Sequence, residues 1–285
     1  MHLSASRLTA SLLRVLPRNR LSRIMGAMAS IHAPSTVVRG AMAAFVRTQS
    51  IDLEEAVVPE GGFTTFNALF TRQIRPETRP LCEDHNALLC PADGRLDDFG
   101  PIDDRSHFVV KGTAYDLREL LGSVEQASRF RGGSFATIYL APRDYHRVHA
   151  SASGEVTRVH HLPGTLLPVN SIGFKYFPGL FARNERVAVL QQTAVFGEVC
   201  TILVGAMGVG NIALSFDELV TNVRGAKGGA RTYPLQRPHL ARGDELGLFR
   251  LGSTVLVFTS LPALAWEYKV GDPVRMGTAL ARRIG

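Results

Sequence analysis

The sequence predicts an α+β protein: a mostly antiparallel β body preceded by amphipathic helices in the first 50 residues. Three observations carry that reading. Short β-type runs punctuated by Asp-Gly, Gly-Gly and Pro-Gly pairs follow one another along the body, with few strand–helix–strand alternations. Ahead of them, apolar residues recur at helical spacing. The charge is also unevenly placed: residues 1–50 carry seven arginines and no acid, whereas residues 51–285 carry 25 basic and 25 acidic side chains. The chain therefore divides into a basic helical segment, 1–50, and an electrically balanced body, 51–285. A nucleic-acid partner is not expected, because it would require Lys and Arg spread over the body.

The N-terminal segment reads as three helices. Leu8, Leu12, Val15 and Leu16 share one face, and Arg7, Arg14 and Arg18 share another. Leu21, Ile24, Met25 and Met28 repeat the spacing after Pro17, and Val38, Ala41, Met42 and Phe45 do so after Pro34. No stretch reaches the roughly 18–20 unbroken apolar residues of a spanning helix. An h-region with a cleavage site is missing too, so no secretory signal is expected. Pattern alone leaves three readings open: helices lying in a bilayer interface with arginines among anionic headgroups, an organelle transit peptide, or helices docked on the body.

In the body, "IDLEEAVVPE" predicts a short acidic helix, followed by a Gly-Gly turn and a helix with Phe66, Leu69 and Phe70 on one side, ended by Pro76 and Pro80. Strands are expected in "HFVVKG", "SFATIYLA", "GEVTRVHHL", "RVAVLQQTAV", "EVCTILVGAM", "STVLVF" and "WEYKVG", with one helical interlude in "AYDLRELLGS". Cys82, Cys90 and Cys200 are too few and too scattered for a disulfide framework or a zinc site, and fit a reducing compartment.

Some motifs are decoys. Gly208-Val209-Gly210-Asn211-Ile212-Ala213 fits the glycine pattern of a dinucleotide fingerprint, but the acid expected about 20 positions later is absent. Gly132-Gly133-Ser134-Phe135-Ala136 lacks the last glycine of a nucleophile elbow. His146, His149, His160 and His161 lack further ligands at metal spacing, so no metal is expected.

Chemistry concentrates in three places. "CPADGRL" sets Asp93 beside Gly94 in an expected tight turn. "LAPRDYHRVHA" packs Arg143, Asp144, Tyr145, His146, Arg147 and His149 together directly after an apolar strand. "LGST" places Gly252 and Ser253 at the head of a short apolar run.

These stretches, with "PADG", "APRDYHRVH", "PGTLLPVN", "LFARNERV" and "LGST" in order, resemble the phosphatidylserine decarboxylase proenzymes of bacterial type, from about Leu16 to near the C-terminus. The resemblance implies self-cleavage between Gly252 and Ser253, giving a chain of residues 1–252 and a chain of residues 253–285 whose Ser253 becomes an N-terminal pyruvoyl group, the covalent cofactor. It assigns Asp93, His149 and Ser253 to a self-cleavage triad, with His149 as base and Asp93 orienting its ring. His146 is expected as proton donor or contact for the substrate carboxylate, with His149 as the alternative holder of that task. The chemistry is consistent: Gly252 lacks a Cβ, so Ser253 Oγ can approach its carbonyl, and a serine hydroxyl needs a base to become a nucleophile. The pyruvoyl carbonyl would form a Schiff base with phosphatidylserine and accept the electron pair left by CO2, giving phosphatidylethanolamine.

A headgroup at a bilayer surface favours the interfacial reading of the N-terminal helices, as a peripheral enzyme on the cytoplasmic face of the cell membrane. A homodimer is implied by the resemblance alone. The loop "GFKYFPGLFARNERV", with Arg183 and Arg186, is read either as a lining of the lipid entrance or as a solvated surface loop. Two alternatives use the same residues differently: a serine hydrolase on Asp93, His149 and Ser253 without self-cleavage, and a non-catalytic membrane-binding protein.

Overall fold

The computed structural model describes residues 9, 11, 13, 16–32, 35–208, 211–223, 228–233, 237–250 and 254–284. Its centre is a sheet of antiparallel strands. Strand β14 (Thr254–Thr259) lies between β9 (Glu198–Val204) and β5 (Ser134–Tyr139), and β5 pairs in turn with β2 (Gly94–Pro101). On the other side β9 pairs with β8 (Arg186–Thr193), and β8 with β7 (Gly154–Leu162).

Every residue of β14 and β9 is buried, because the sheet is covered on both faces. Alternate side chains therefore enter two different cores. Val255, Val257, Ala136, Ile138, Val187 and Val189 pack on one face. Leu256, Phe258, Phe135, Ala188, Leu190 and Ile202 pack on the other. The first core is closed by two small sheets. One has the order β1 (Ala87–Leu89), β17 (Ala279–Arg283), β15 (Leu264–Trp266), and the other β10 (Ile212–Leu214), β13 (Glu245–Phe249), β6 (Arg147–His149). Short helices at Leu117–Leu121, Val124–Ser128 and Leu180–Arg183 cover the second, with Leu117, Leu120, Phe130 and Phe181 fully buried.

The α+β reading and the apolar strands are thus present. Four local expectations differ. No helix forms over 51–58: Ala56 bridges Ile74, Glu54 N–H donates to Asp52, and Glu55 is drawn toward arginines instead. "WEYKVG" contributes only Trp266 to a strand before turning. "AYDLRELLGS" is split into a strand, Thr113–Asp116, and one helical turn capped by Asp116. The segment 173–187 is not a solvated loop: it holds helices at Ser171–Tyr176 and Leu180–Arg183, and Phe177, Leu180 and Phe181 fill the second core. Arg186 is buried there and donates to the carbonyls of Glu119, Leu120, Ala182 and Asn184.

The two described N-terminal helices behave differently. In Ser35–Gln49, Met42 is buried beside Ile51 and Leu69, and Phe45 meets the rings of Phe66 and Phe70. In Arg18–Ala29 the polar face docks: Arg18 donates to Thr165, Asn19 to the Gly164 carbonyl, and Ser22 accepts from Gly208 N–H. Its apolar stripe points outward, with Ile24 57% and Met28 63% exposed. Leu8, Leu12 and Val15 lie outside the described residues. No helix among the described residues is long and apolar enough to cross a membrane.

Candidate active site

Asp93 stands in the connection between β1 and β2, immediately before Gly94. Gly94 is not a left-handed turn residue. It opens β2 against β5, where an added Cβ would lie 2.4 Å from the Tyr139 carbonyl oxygen, so a close backbone approach requires the glycine. The Asp93 carboxylate accepts a forked pair from Arg79, with Nε to Oδ1 at 3.0 Å and Nη2 to Oδ2 at 2.5 Å, and the Met276 N–H at 2.8 Å.

His149 ends β6, and its backbone N–H donates to the Pro91 carbonyl at 2.8 Å, two residues from Asp93. Its ring lies 2.8 Å from the Gly243 carbonyl through Nδ1 and 3.1 Å from the Tyr145 hydroxyl through Nε2. A carbonyl oxygen only accepts, so Nδ1 carries the hydrogen and Nε2 offers a lone pair, to which Tyr145 donates. Burial pushes the imidazole below its ordinary value of 6.5 and pushes the Tyr145 hydroxyl upward, favouring the neutral ring and the protonated hydroxyl. The nearby Asp93 and Glu245 carboxylates oppose that fall in His149, and Arg147 adds to it.

His146 repeats the tautomer. Nδ1 is 2.8 Å from the Asp144 carbonyl, leaving Nε2 as a lone pair; it is fully buried and has no hydrogen-bond partner among the described residues. Burial lowers this imidazole from 6.5 to about 4, the Asp144 carbonyl partly compensating and the Arg72 cation adding to the fall. The ring meets Phe70 edge to face, with centroids 5.5 Å apart. Arg72, itself buried, donates to the carbonyls of Leu69, Arg143 and Asp144 and so ties the polar loop down.

Gly252 and Ser253 lie outside the described residues. The chain flanking them is tied upstream to the histidine stretch and downstream to the end of β5, from which that stretch departs. Phe249 N–H donates to the His146 carbonyl at 3.0 Å, and Thr254 pairs with Tyr139. Asp93, His146 and His149 thus occupy one neighbourhood. Among the described residues no hydrogen bond joins Asp93 to His149; the acid acts on the ring through its field.

Two cavities meet at Tyr139. One, about 520 Å³, is charged and lined by Arg72, Arg79, Asp93, Asp144 and Tyr145. The other, about 550 Å³, is apolar and lined by Met25, Met28, Phe45, Phe66, Phe70 and Leu140. His160 and His161 take no part: they bond the Leu121 carbonyl and the Glu185 carboxylate. Sequence reasoning missed Arg79 and Glu55, since nothing in the spacing of an Arg-Pro pair or of a presumed acidic helix points to Asp93.

A family model described as phosphatidylserine decarboxylase matches residues 66–282. Among curated relatives, the phosphatidylserine decarboxylase proenzyme of Bordetella pertussis is 43% identical over 274 residues, covering 93% of this chain and 91% of the relative. The proenzymes of Acidovorax ebreus, 40% identical, and Shewanella frigidimarina, 39% identical, cover 95% and 94% of this chain and 96% and 95% of their own lengths. A family model matched over residues 66–282 and relatives about 40% identical over more than nine-tenths of its length show that the chain belongs to the phosphatidylserine decarboxylase family.

Proposed function

We propose that this chain is a self-processing, pyruvoyl-dependent phosphatidylserine decarboxylase that cuts itself between Gly252 and Ser253. The observation that carries the reading is that residue 249 is tied to the His146 carbonyl and residue 254 to Tyr139, at the end of the strand that leads into the stretch bearing His146 and His149. Relatives named as proenzymes favour self-processing over the hydrolase or the non-catalytic binder.

In the first step Ser253 Oγ attacks the Gly252 carbonyl while His149 Nε2 takes the hydroxyl proton, the Tyr145 hydroxyl yielding its place on that nitrogen. The peptide C–N bond breaks and the amine takes a proton, leaving an ester. Loss of the Ser253 α-proton expels residues 1–252 as a carboxylate and leaves a dehydroalanine, which water converts to a pyruvoyl group and ammonia. Asp93 stabilises the transient imidazolium through its field.

The residues present fit such a group, because a buried lone pair without a partner among the described residues, His146 Nε2, belongs to the residue whose carbonyl holds Phe249. The pyruvoyl carbonyl supplies an electron sink for the carboxylate lost from a serine headgroup. His146 Nε2, held neutral, takes from solvent the one proton the reaction consumes and delivers it to the carbon that CO2 leaves. The apolar cavity and the outward stripe of Ile24, Met25 and Met28 suit a diacyl substrate met at an anionic membrane surface.

The test is a Ser253→Ala variant beside the native chain. The native protein should release CO2 from phosphatidylserine in mixed micelles and run as two fragments on a denaturing gel. The variant should run intact at 31.0 kDa and release none. A variant that still cleaves, or one that stays intact and decarboxylates, would remove Ser253 from its role.

A further inference from the structure

We propose that Arg79 is the positioning residue of the self-processing centre, fixing the Asp93 carboxylate through an alternating chain Asp93–Arg79–Glu55–Arg275. This inference rests on the reading that Asp93 serves self-cleavage. Arg79 is 6% exposed, and a guanidinium taken out of water is costly unless its donors are matched. Its donors are matched. The fork goes to Asp93, Nη2 also reaches Glu55 Oε2 at 2.6 Å, and Nη1 donates to the Thr78 carbonyl at 2.8 Å. The other Glu55 oxygen accepts from Arg275. Asp93 takes its last donor from the Met276 backbone.

The chain of charges joins parts far apart in sequence. Glu55 comes from the segment after the N-terminal helices, and Arg79 from the stretch ahead of β1. Arg275 and Met276 lie downstream of the proposed scission. Both fragments therefore hold the same carboxylate, before and after the cut. Asp93 and Arg79 also line the charged cavity, together with Tyr145, whose hydroxyl sits on His149 Nε2. A tie serving stability alone has no need of a forked contact on a cavity wall, and Arg-carboxylate forks carry geometric specificity that lysine lacks.

The experiment compares self-cleavage in Arg79→Lys, Asp93→Asn, the double variant and Arg275→Ala, with thermal melting as a control for folding. Lysine keeps the charge and loses the fork, so Arg79→Lys should slow cleavage by about tenfold or more and add less than about twofold on top of Asp93→Asn, the mark of action through one group. Arg275, 57% exposed at its side chain, can be removed without a buried charge left unpaired, and Arg275→Ala should slow cleavage a few-fold at unchanged melting.

A pH profile separates positioning from scaffold loss. His149 is faced by Tyr145, Asp93, Glu245 and Arg147, and of these Arg79→Lys displaces Asp93. Because Asp93 opposes the fall in the His149 value, the acid limb should move to lower pH as the plateau drops; a loss of scaffold lowers the plateau alone. Native cleavage rates in both Arg79→Lys and Arg275→Ala, or losses that multiply with Asp93→Asn, would overturn the inference. Normal cleavage in Asp93→Asn would remove the role of Asp93 itself, whatever Arg79 does. Should Arg79→Lys not fold, Arg275→Ala with its acid limb decides.

Discussion

His146 is a buried imidazole with one nitrogen given to a carbonyl and the other to nothing among the described residues. Such a nitrogen is costly to keep, which is reason to assign it chemistry rather than packing. It also makes folding depend on acid in a defined direction. Its folded value, about 4, is lower than its ordinary 6.5, so between those limits the unfolded chain binds the extra proton. The stabilisation is complete above pH 6.5 and is lost as pH falls toward 4. His149, also lowered by burial, adds in the same direction. Urea denaturation of Ser253→Ala, which stays one chain, should show stability falling by about 3 kcal/mol on that account between pH 7 and pH 4. A His146→Gln partner should show a visibly shallower fall; equal slopes would contradict the tautomer and burial assigned to His146.

Elements differ in how plainly the sequence announces them. Strands β14, β9 and β8 are legible as apolar runs because both faces of the central sheet are covered, so no polar alternation interrupts them. β2, "GRLDDFGP", was illegible: its acids Asp97 and Asp98 are taken up by Arg95 and by the Lys111 side chain and backbone, contacts that a linear reading cannot see. Asp93, His146 and His149 were legible as a dense polar cluster and an Asp-Gly pair, whereas Arg79 and Glu55 join them only by tertiary contact. The helix Arg18–Ala29 was legible as amphipathic but not in its orientation, since its docking face is built from Arg18, Asn19 and Ser22. That orientation makes a prediction about membranes. Replacing the exposed Ile24 and Met28 by serine should weaken binding to anionic vesicles by about tenfold, on the basis of apolar area removed from the interface, while leaving melting and self-cleavage unchanged. Undiminished vesicle binding would assign membrane contact to another surface.

At the scale of the whole molecule, the proposed cut lies in sequence directly ahead of the central strand, which begins at Thr254. β14 is hydrogen-bonded along its length to β5 and β9, and β15 and β17 form a sheet with β1, so the downstream fragment is woven through both sides of the first core. Self-cleavage should therefore leave a complex that elutes as one species under native conditions and separates only when denatured. Separation of the fragments without denaturant would show that the strands do not hold after scission. This architecture suits the proposed self-processing: Thr254, the residue after the proposed new terminus, already sits in a strand locked between two neighbours. The central claim is most directly tested by the mass and N-terminal chemistry of the small fragment from the purified native chain. The account predicts a fragment spanning residues 253–285 that carries a keto group in place of the serine amine, resists Edman degradation and reacts with a carbonyl reagent such as borohydride. An intact chain with full decarboxylase activity, or a small fragment that sequences normally from a free Ser253 amine, would contradict it.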